Sequence, residues 1–294
     1  MELPLEAVPN FSEARDASVV KAIGLELAKC AELLDVHVDV DHNRSVFTLV
    51  GSERQLVDAL FAGIACARKR IDLRGHGGVH PRIGAADVVP IVPIRPEDAP
   101  RSAAAALKLA RRVGEELELP VFLYADIGGG RGPAFFRQGG PAELQRRIDA
   151  GEITPDFGPS QLHPSAGGVI LGARRPLIAF NVNLAGANVE AAREIASVVR
   201  ERDGGFPGVR ALGLDLPSTG QAQVSMNVED WEASALHEIV EAIEREAAAR
   251  GIEVVGSELV GLMPAGAAAA AAGAVLRIDG FDASRLLELR LLGE

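Results

Sequence analysis

"LLDVHVDVDHNRSVFTLVG", residues 33–51, is the stretch from which the fold follows. From Leu33 to Asp41 apolar and polar residues alternate with a period of two, the pattern of a strand with two unlike faces. Asn43-Arg44 then turns the chain into the β-rich Ser45–Gly51, so the stretch predicts two strands joined by a turn at Asp41-His42-Asn43. Upstream, Leu3 to Val8 reads as a short strand and "ASVVKAIGLELAKCAELL" (17–34) has apolar residues at helical spacing. Downstream, Ser52 stands where an N-cap belongs, ahead of the helix "ERQLVDALFAGIACARKRI" (53–71). "ADVVPIVPI" (86–94) is strand-like, and Pro90 and Pro93 predict an edge position or an irregular end for it. The order is strand, helix, strand, strand, helix, strand.

An Ala-rich helix (Pro96 to Glu118), the strand "VFLYA" (121–125) and the Gly-rich loop "DIGGGRGPAFFRQGGP" (126–141) extend this first unit. The second half repeats the order: "RRPLIAFNVNL" is a strand, "NVEAAREIASVVRER" a helix capped by Asn188, and "GVRALGLDL" and "QAQVSMNVED" are two strands. "WEASALHEIVEAIEREAAAR" is an amphipathic helix and "GIEVVGSELVG" a closing strand, after which 264–292 reads as an Ala-rich helix and a short terminal one. The fold class expected is α+β: two ferredoxin-like α/β subdomains, 1–180 and 181–294, each a mixed sheet with helices.

The 294 residues carry 30 basic and 41 acidic side chains, and a net charge of −11 disfavours nucleic acid as a partner. No apolar run is long enough to cross a membrane, and Glu2 and Glu6 stand where a signal peptide would be basic, so no membrane association and a cytoplasmic location are expected. Cys30 and Cys66 lie in helix-like stretches without metal spacing and read as buried small hydrophobes. The amphipathic helices leave room for a homodimer.

The loops hold the unusual residues: "VPNFSE" (8–13), "HVDVDHNRS" (37–45), "GHGGVHPRIGAAD" (75–87) and "DFGPSQLHPSAGG" (156–168). In the first, Asn10 or Ser12 can cap the following helix. In the second, His37, Asp39 and Asp41 share a strand face and could hold a divalent cation, or simply form a polar strand end. In the third, His76 and His80 have the four-residue spacing of a helical metal pair. Gly75, Gly77, Gly78, Pro81 and Gly84 argue against a helix there, which leaves an imidazole delivered into a cleft or a turn histidine satisfied by backbone groups.

"VPNFSE", "LLDV", "HNRSVFTLVG", "HPRIGAADVVPIVP", "VFLY", "PDFGPS", "GARRPLIAFNVNL", "AQVSMNVED" and "VGSELVGLMP" occur in an order that resembles the formiminotransferase catalytic domain family from about Ala7 to Pro264. The resemblance implies two α/β subdomains with a folate tunnel between them, and a stand-alone form without a cyclodeaminase half. It implies transfer of the formimino group of N-formimino-L-glutamate to N5 of tetrahydrofolate, a co-substrate, in histidine degradation, with no metal. His80, in the HPR segment, would be the catalytic acid and base. The segment "GPSQLHPSAG" would contact folate, putting Gly158, Pro159, Ser160, Gln161, His163, Ser165 and Gly167 with Asn43, Arg44 and Arg82 among the substrate contacts.

Arginine suits the carboxylates of glutamate and folate, because its fork matches a carboxylate in bidentate fashion, and Arg174 is a further candidate. The chain departs from the family pattern at His37, where an Asp is usual and which Asp39 could replace, at Val79, where Glu is common, and at Asp126, which shortens a Glu. Two other classes stay open on the residues alone: a folate-binding one-carbon protein with another donor or little catalysis, and a metal-dependent hydrolase using His37, Asp39, Asp41 and His76.

Overall fold

The computed structural model describes residues 3–292, and the chain divides into two compact units, Met1–Arg175 and Pro176–Glu294. The first runs β1 (Leu5–Ala7), β2 (Asn10–Phe11), α1 (Ala17–Leu27), β3 (Glu32–Asp39), β4 (Arg44–Gly51), α2 (Glu53–Arg70), β5 (Ala86–Pro93), α3 (Ala99–Glu116), β6 (Val121–Ala125), α4 (Pro133–Arg137), α5 (Gly140–Asp149) and β7 (Val169–Ala173). The second runs β8 (Ile178–Leu184), α6 (Val189–Val199), β9 (Val209–Leu216), β10 (Gln221–Val228), α7 (Leu236–Ala249), β11 (Val254–Val260), α8 (Ala265–Leu276) and α9 (Leu287–Leu292).

The hairpin at 33–51 forms as the alternation requires. β3 pairs antiparallel with β4 alone, from Glu32 opposite Val50 to Asp39 opposite Arg44, with a bulge between Leu33 and Asp35. β1 and β2 pair in succession along the other side of β4 and bridge it to β5, all antiparallel. β7 and then β6 extend the sheet in parallel beyond β5. The second unit's sheet is antiparallel in the order β11-β8-β10-β9. Each βαββαβ sequence thus closes with its fourth strand beside its first and its third beside its second, the arrangement the element order predicts.

The helices sit where their apolar stripes demand. Ser52 caps α2 in a reciprocal box with Gln55, and Asn188 caps α6 by accepting from the Ala191 N–H, both as the sequence suggests. Phe11, Ile23, Phe47, Leu60, Val89, Leu109 and Leu171 belong to the core cluster of the first unit, which joins α1, α2 and α3 to one face of the sheet. On the other face, Phe136, Leu144 and Ile148 of α4 and α5 pack on Val88, Phe122 and Ile170, so this end of the sheet is covered on both sides. A separate core, including Val182, Ile195, Val224 and Ile243, serves the second unit.

Several expectations are corrected. α1 ends at Leu27, not Leu34, because Glu32 onward is needed to pair with β4; Cys30 therefore lies in a turn, and both cysteines are half-buried, with no disulfide between them. The cap of α1 is Asp16, since Asn10 and Ser12 are used elsewhere. β5 is central, not an edge: Pro90 falls at the handover between β1 and β2, where only its carbonyl is required, accepting from the Val8 N–H at 3.3 Å. α4 interrupts the Gly-rich loop, while β7 and α5 were not foreseen.

Candidate active site

A β-bulge starts the site. Asn10 pairs with Val88 and Phe11 with Ala86, which leaves Asp87 as the extra residue on β5. Its side chain is fully buried. Asp87 Oδ1 accepts from the Ile83 N–H at 2.8 Å, and Oδ2 accepts from Arg44 Nη1 at 2.9 Å and Arg137 Nη2 at 2.5 Å. Burial alone would raise this carboxyl, but the Arg137 and Arg44 charges and the Ile83 N–H outweigh it and hold Asp87 below its ordinary value, so it stays charged. Arg44, the first residue of β4, also donates from Nε to Asn10 Oδ1 at 2.9 Å. Burial and the neighbouring Arg137 lower its pKa to about 10, still cationic at neutral pH.

His80 closes the cluster. Its Nδ1 lies 2.8 Å from the Pro81 carbonyl oxygen and 3.1 Å from Arg44 Nη1. A carbonyl can only accept, so the shorter contact assigns the proton to Nδ1 and leaves the lone pair on Nε2. Burial first, then the charges of Arg44 and Arg137, push the imidazole pKa well below its usual value. His80 is therefore neutral at pH 7 and its Nε2 is available as a base.

The loop bearing His80 is fastened by residues that sequence reasoning placed among the substrate contacts. Arg82 donates to the carbonyls of His42 at 2.5 Å, Asn43 at 2.9 Å and His80 at 3.0 Å. Asn43, at φ 45°, accepts from the Ala14 N–H at 2.9 Å and reaches His76 Nε2 at 2.8 Å and the Gly77 carbonyl at 3.1 Å. Asn43, His76 and Arg82 thus tie the β3–β4 turn to the 76–82 loop, and the guanidinium of Arg82 is engaged by backbone. The turn's own His42 donates from Nδ1 to Asp39 Oδ2 at 2.9 Å, and its ring lies edge-on to His80, centroids 5.8 Å apart. His37 is two residues from Asp39 on the same face of β3.

The 158–167 segment is locked to the same loop through backbone. The Ala85 N–H donates to the Ala166 carbonyl at 2.9 Å, Gly168 to Ile83 at 3.1 Å and Leu73 to Ser165 at 2.8 Å. Glycine is required at this crossing: a Cβ on Gly84 would sit 1.8 Å from the Gly168 oxygen, and one on Gly167, at φ 67°, 2.0 Å from that of Ile83. His163 Nδ1 accepts from the Ala166 and Ser165 N–H groups, Gln161 reaches Asp149, and the Ser160 carbonyl accepts from Gln145. Gly158 backs onto the Leu119 carbonyl and Pro159 is exposed. Arg174 is not part of the cluster: its N–H bonds to the Ile91 carbonyl, four residues along β5 from Asp87, roughly 13 Å at strand rise. Asp126, exposed at the end of β6, lies level with Ile91 through Ala173.

Among the described residues, no group of three His, Cys, Asp or Glu side chains could hold a metal ion. His37, Asp39 and Asp41 form no such set, because Asp39 is turned to His42 and β3 ends before Asp41. Sequence reasoning missed Asp87 and Arg137 and read Asn10 only as a cap. The one available signal was Asp87 itself, a carboxylate inside an otherwise apolar strand, which must find cationic partners when buried.

A neutral histidine beside two arginines that share one buried carboxylate is an acid–base site with net positive charge, suited to an anionic small molecule. The chain belongs to the formiminotransferase domain family: residues 4–174 match the formiminotransferase domain N-terminal subdomain, and residues 179–280 the formiminotransferase domain. It is 40% identical to the glutamate formimidoyltransferase of Thermoplasma acidophilum, over 98% of this chain and 97% of that one. It is 38% identical to the enzyme of the same name from Streptococcus pyogenes serotype M1, over 98% and 99%. Similarity to the formimidoyltransferase-cyclodeaminase of Rattus norvegicus, 39% identical, spans 88% of this chain and 50% of the longer protein.

Proposed function

We propose that this protein is a glutamate formimidoyltransferase, moving the formimino group of N-formimino-L-glutamate to N5 of tetrahydrofolate in histidine degradation. Full-length similarity to two formimidoyltransferases supports the activity. The observation that carries the mechanism is the neutral His80 with Nε2 unprotonated beside Arg44, Arg137 and Asp87. N5 attacks the formimino carbon and loses its proton to His80 Nε2. The tetrahedral intermediate then expels the glutamate nitrogen, which gains a proton. Acid–base catalysis of this kind is worth on the order of 10²–10⁴ in rate, and holding the two substrates together contributes more, the step being otherwise bimolecular.

Arg44 and Arg137 together outweigh Asp87 by one charge, and that excess draws the carboxylates of glutamate and folate. Residues 158–167 supply the folate contact, with Ser160, Gln161, His163 and Ser165 as its polar groups and Gly158, Pro159 and Gly167 shaping the segment. Arg82 and Asn43 contact substrate while also fixing the His80 loop, and His37, Asp39 and Arg174 serve as auxiliary residues. Tetrahydrofolate is the co-substrate, no resident metal takes part, no nucleic acid is bound, and the protein works in the cytoplasm, as a homodimer. No described helix is long and apolar enough to cross a membrane.

The test is an assay of tetrahydrofolate with N-formimino-L-glutamate, following 5-formiminotetrahydrofolate, beside His80→Ala. Transfer by the wild type and its loss in the variant are expected. A wild type that binds tetrahydrofolate and transfers nothing overturns the activity, and a fully active His80→Ala overturns the assignment of the base.

A further inference from the structure

β3 is an open edge. It pairs with β4 and with no other strand among the described residues, so one row of its backbone N–H and C=O groups faces away from the sheet. Such an edge is a template for a further strand, and proteins ordinarily blunt it with lysine, proline or a bulge. The bulge of β3 lies at its start, and residues 34–38 include neither lysine nor proline. Instead Leu34, Val36 and Val38 stand in one row, 45%, 41% and 43% exposed, on the side of the sheet where Val36 faces Phe47 across the ladder. Isolated exposed aliphatic residues are common, but three in succession along one row of an open edge make a continuous apolar strip.

The strand that matches this edge is a second β3. Two copies related by a twofold axis run antiparallel, and like faces meet only when the axis passes beside a residue, because a one-residue slip turns one strand's rows over. An axis at Asp35 sets that carboxylate against its own copy, and one at His37 sets Asp35 against Asp39. An axis at Val38 sets Asp35 against Asp41 and needs the edge beyond Asp39. There the Val40 carbonyl already accepts from Arg15 Nε at 3.1 Å, and the Asp41 carbonyl from the Val79 N–H at 3.2 Å. An axis at Val36 meets neither objection. It sets Val36 against Val36 and Val38 against Leu34, which closes the apolar row, and sets Asp35 against His37 twice, which closes the polar one. Opposed pairs of this kind stabilise a ladder, whereas opposed like charges weaken it.

We propose that β3 is the interface of the homodimer, two copies joining edge to edge about a twofold axis at Val36 to make one continuous sheet. This rests on the homodimer stated above and on no step of the transfer chemistry, in which Val36 has no part.

The experiment is light scattering and sedimentation velocity on the full chain at micromolar concentration, for wild type, Val36→Lys and Val198→Lys, the last at an exposed valine of α6. Wild type and Val198→Lys are expected to be dimers and Val36→Lys a monomer with a thermal midpoint near wild type. Val36→Cys reads the register should the lysine variant fold poorly. Residues directly opposed across an antiparallel pair have Cα atoms about 4.5–5.5 Å apart, within disulfide range, so mild oxidation should link the dimer. Val38→Cys, displaced from its copy by roughly 13 Å at strand rise, should not link, and oxidised wild type, with Cys30 and Cys66, is the control. A monomeric wild type overturns the homodimer and this interface with it. A dimer that persists in Val36→Lys, or failure of Val36→Cys to link, overturns the interface alone.

Discussion

The two units share one βαββαβ plan and the same strand order, yet they use the face opposite the main helices differently. In the second unit that face carries carboxamides: Gln223 Nε2 donates to Asn183 Oδ1 at 2.9 Å, and Asn181 Nδ2 to Glu258 Oε2 at 3.0 Å. The first unit carries a buried ion cluster, Asp87 with Arg44 and Arg137, and two imidazoles. A βαββαβ unit therefore does not of itself make a site. The first unit holds the candidate site because a bulge on β5 turns Asp87 inward and because the 72–85 segment and α4 bring His80 and Arg137 to it.

That contrast can be tested, beginning with its largest effect. His80→Ala should lower kcat by about 10²- to 10⁴-fold while leaving the thermal midpoint near wild type, measured by steady-state kinetics and calorimetry. Asp87→Asn should destabilise the first unit by about 3 kcal/mol in chemical denaturation, because it leaves Arg44 and Arg137 buried without a counter-charge, and should impair transfer as Arg44 shifts against His80. Gln223→Ala in the second unit removes only a neutral hydrogen bond and should cost about 1 kcal/mol; a loss of stability matching that of Asp87→Asn would break the distinction between the two faces.

The smallest effect is the dependence of stability on pH. His80 and His76 both have folded pKa values below the ordinary histidine value, by burial first and then by arginine charge. The unfolded chain then binds more protons than the folded one below about pH 6.5, so stability is lost as pH falls from there towards the folded values. The denaturation midpoint should accordingly be lower at pH 5.5 than at 7.5, and the difference should shrink in His80→Gln. An unchanged difference in that variant would show that His80 is not the buried neutral group.

Much of this was legible beforehand. The alternation at 33–41, the caps Ser52 and Asn188 and the repeated element order are local signals, set by periodicity and side chain to backbone hydrogen bonding, and they anticipated the βαββαβ order of each unit, though not the parallel extension of the first sheet by β7 and β6. Less legible was which way a strand faces. In β3 the valines at 36 and 38 are 41% and 43% exposed while His37 and Asp39 lie on the more buried side, the reverse of the usual pattern for an edge strand over a core. The bulge after Leu33 changes the register, and no local preference foretells it.

By itself the sequence determined the two α/β units and the irregular loop that presents His76 and His80, because glycines and a proline bar a helix whatever surrounds them; the preference for His80 came from the family resemblance. Tertiary structure alone decided what that imidazole meets. Arg44, Asp87 and Arg137 are separated by 43 and 50 positions along the chain and come together only when β4, β5 and α4 pack. The same packing gives Arg82 and Asn43 a part in fastening the loop, since their donors meet backbone carbonyls of the 42–43 turn and of Gly77. Charge neutralisation inside a protein depends on who the neighbours are in space, and one-dimensional spacing does not record that.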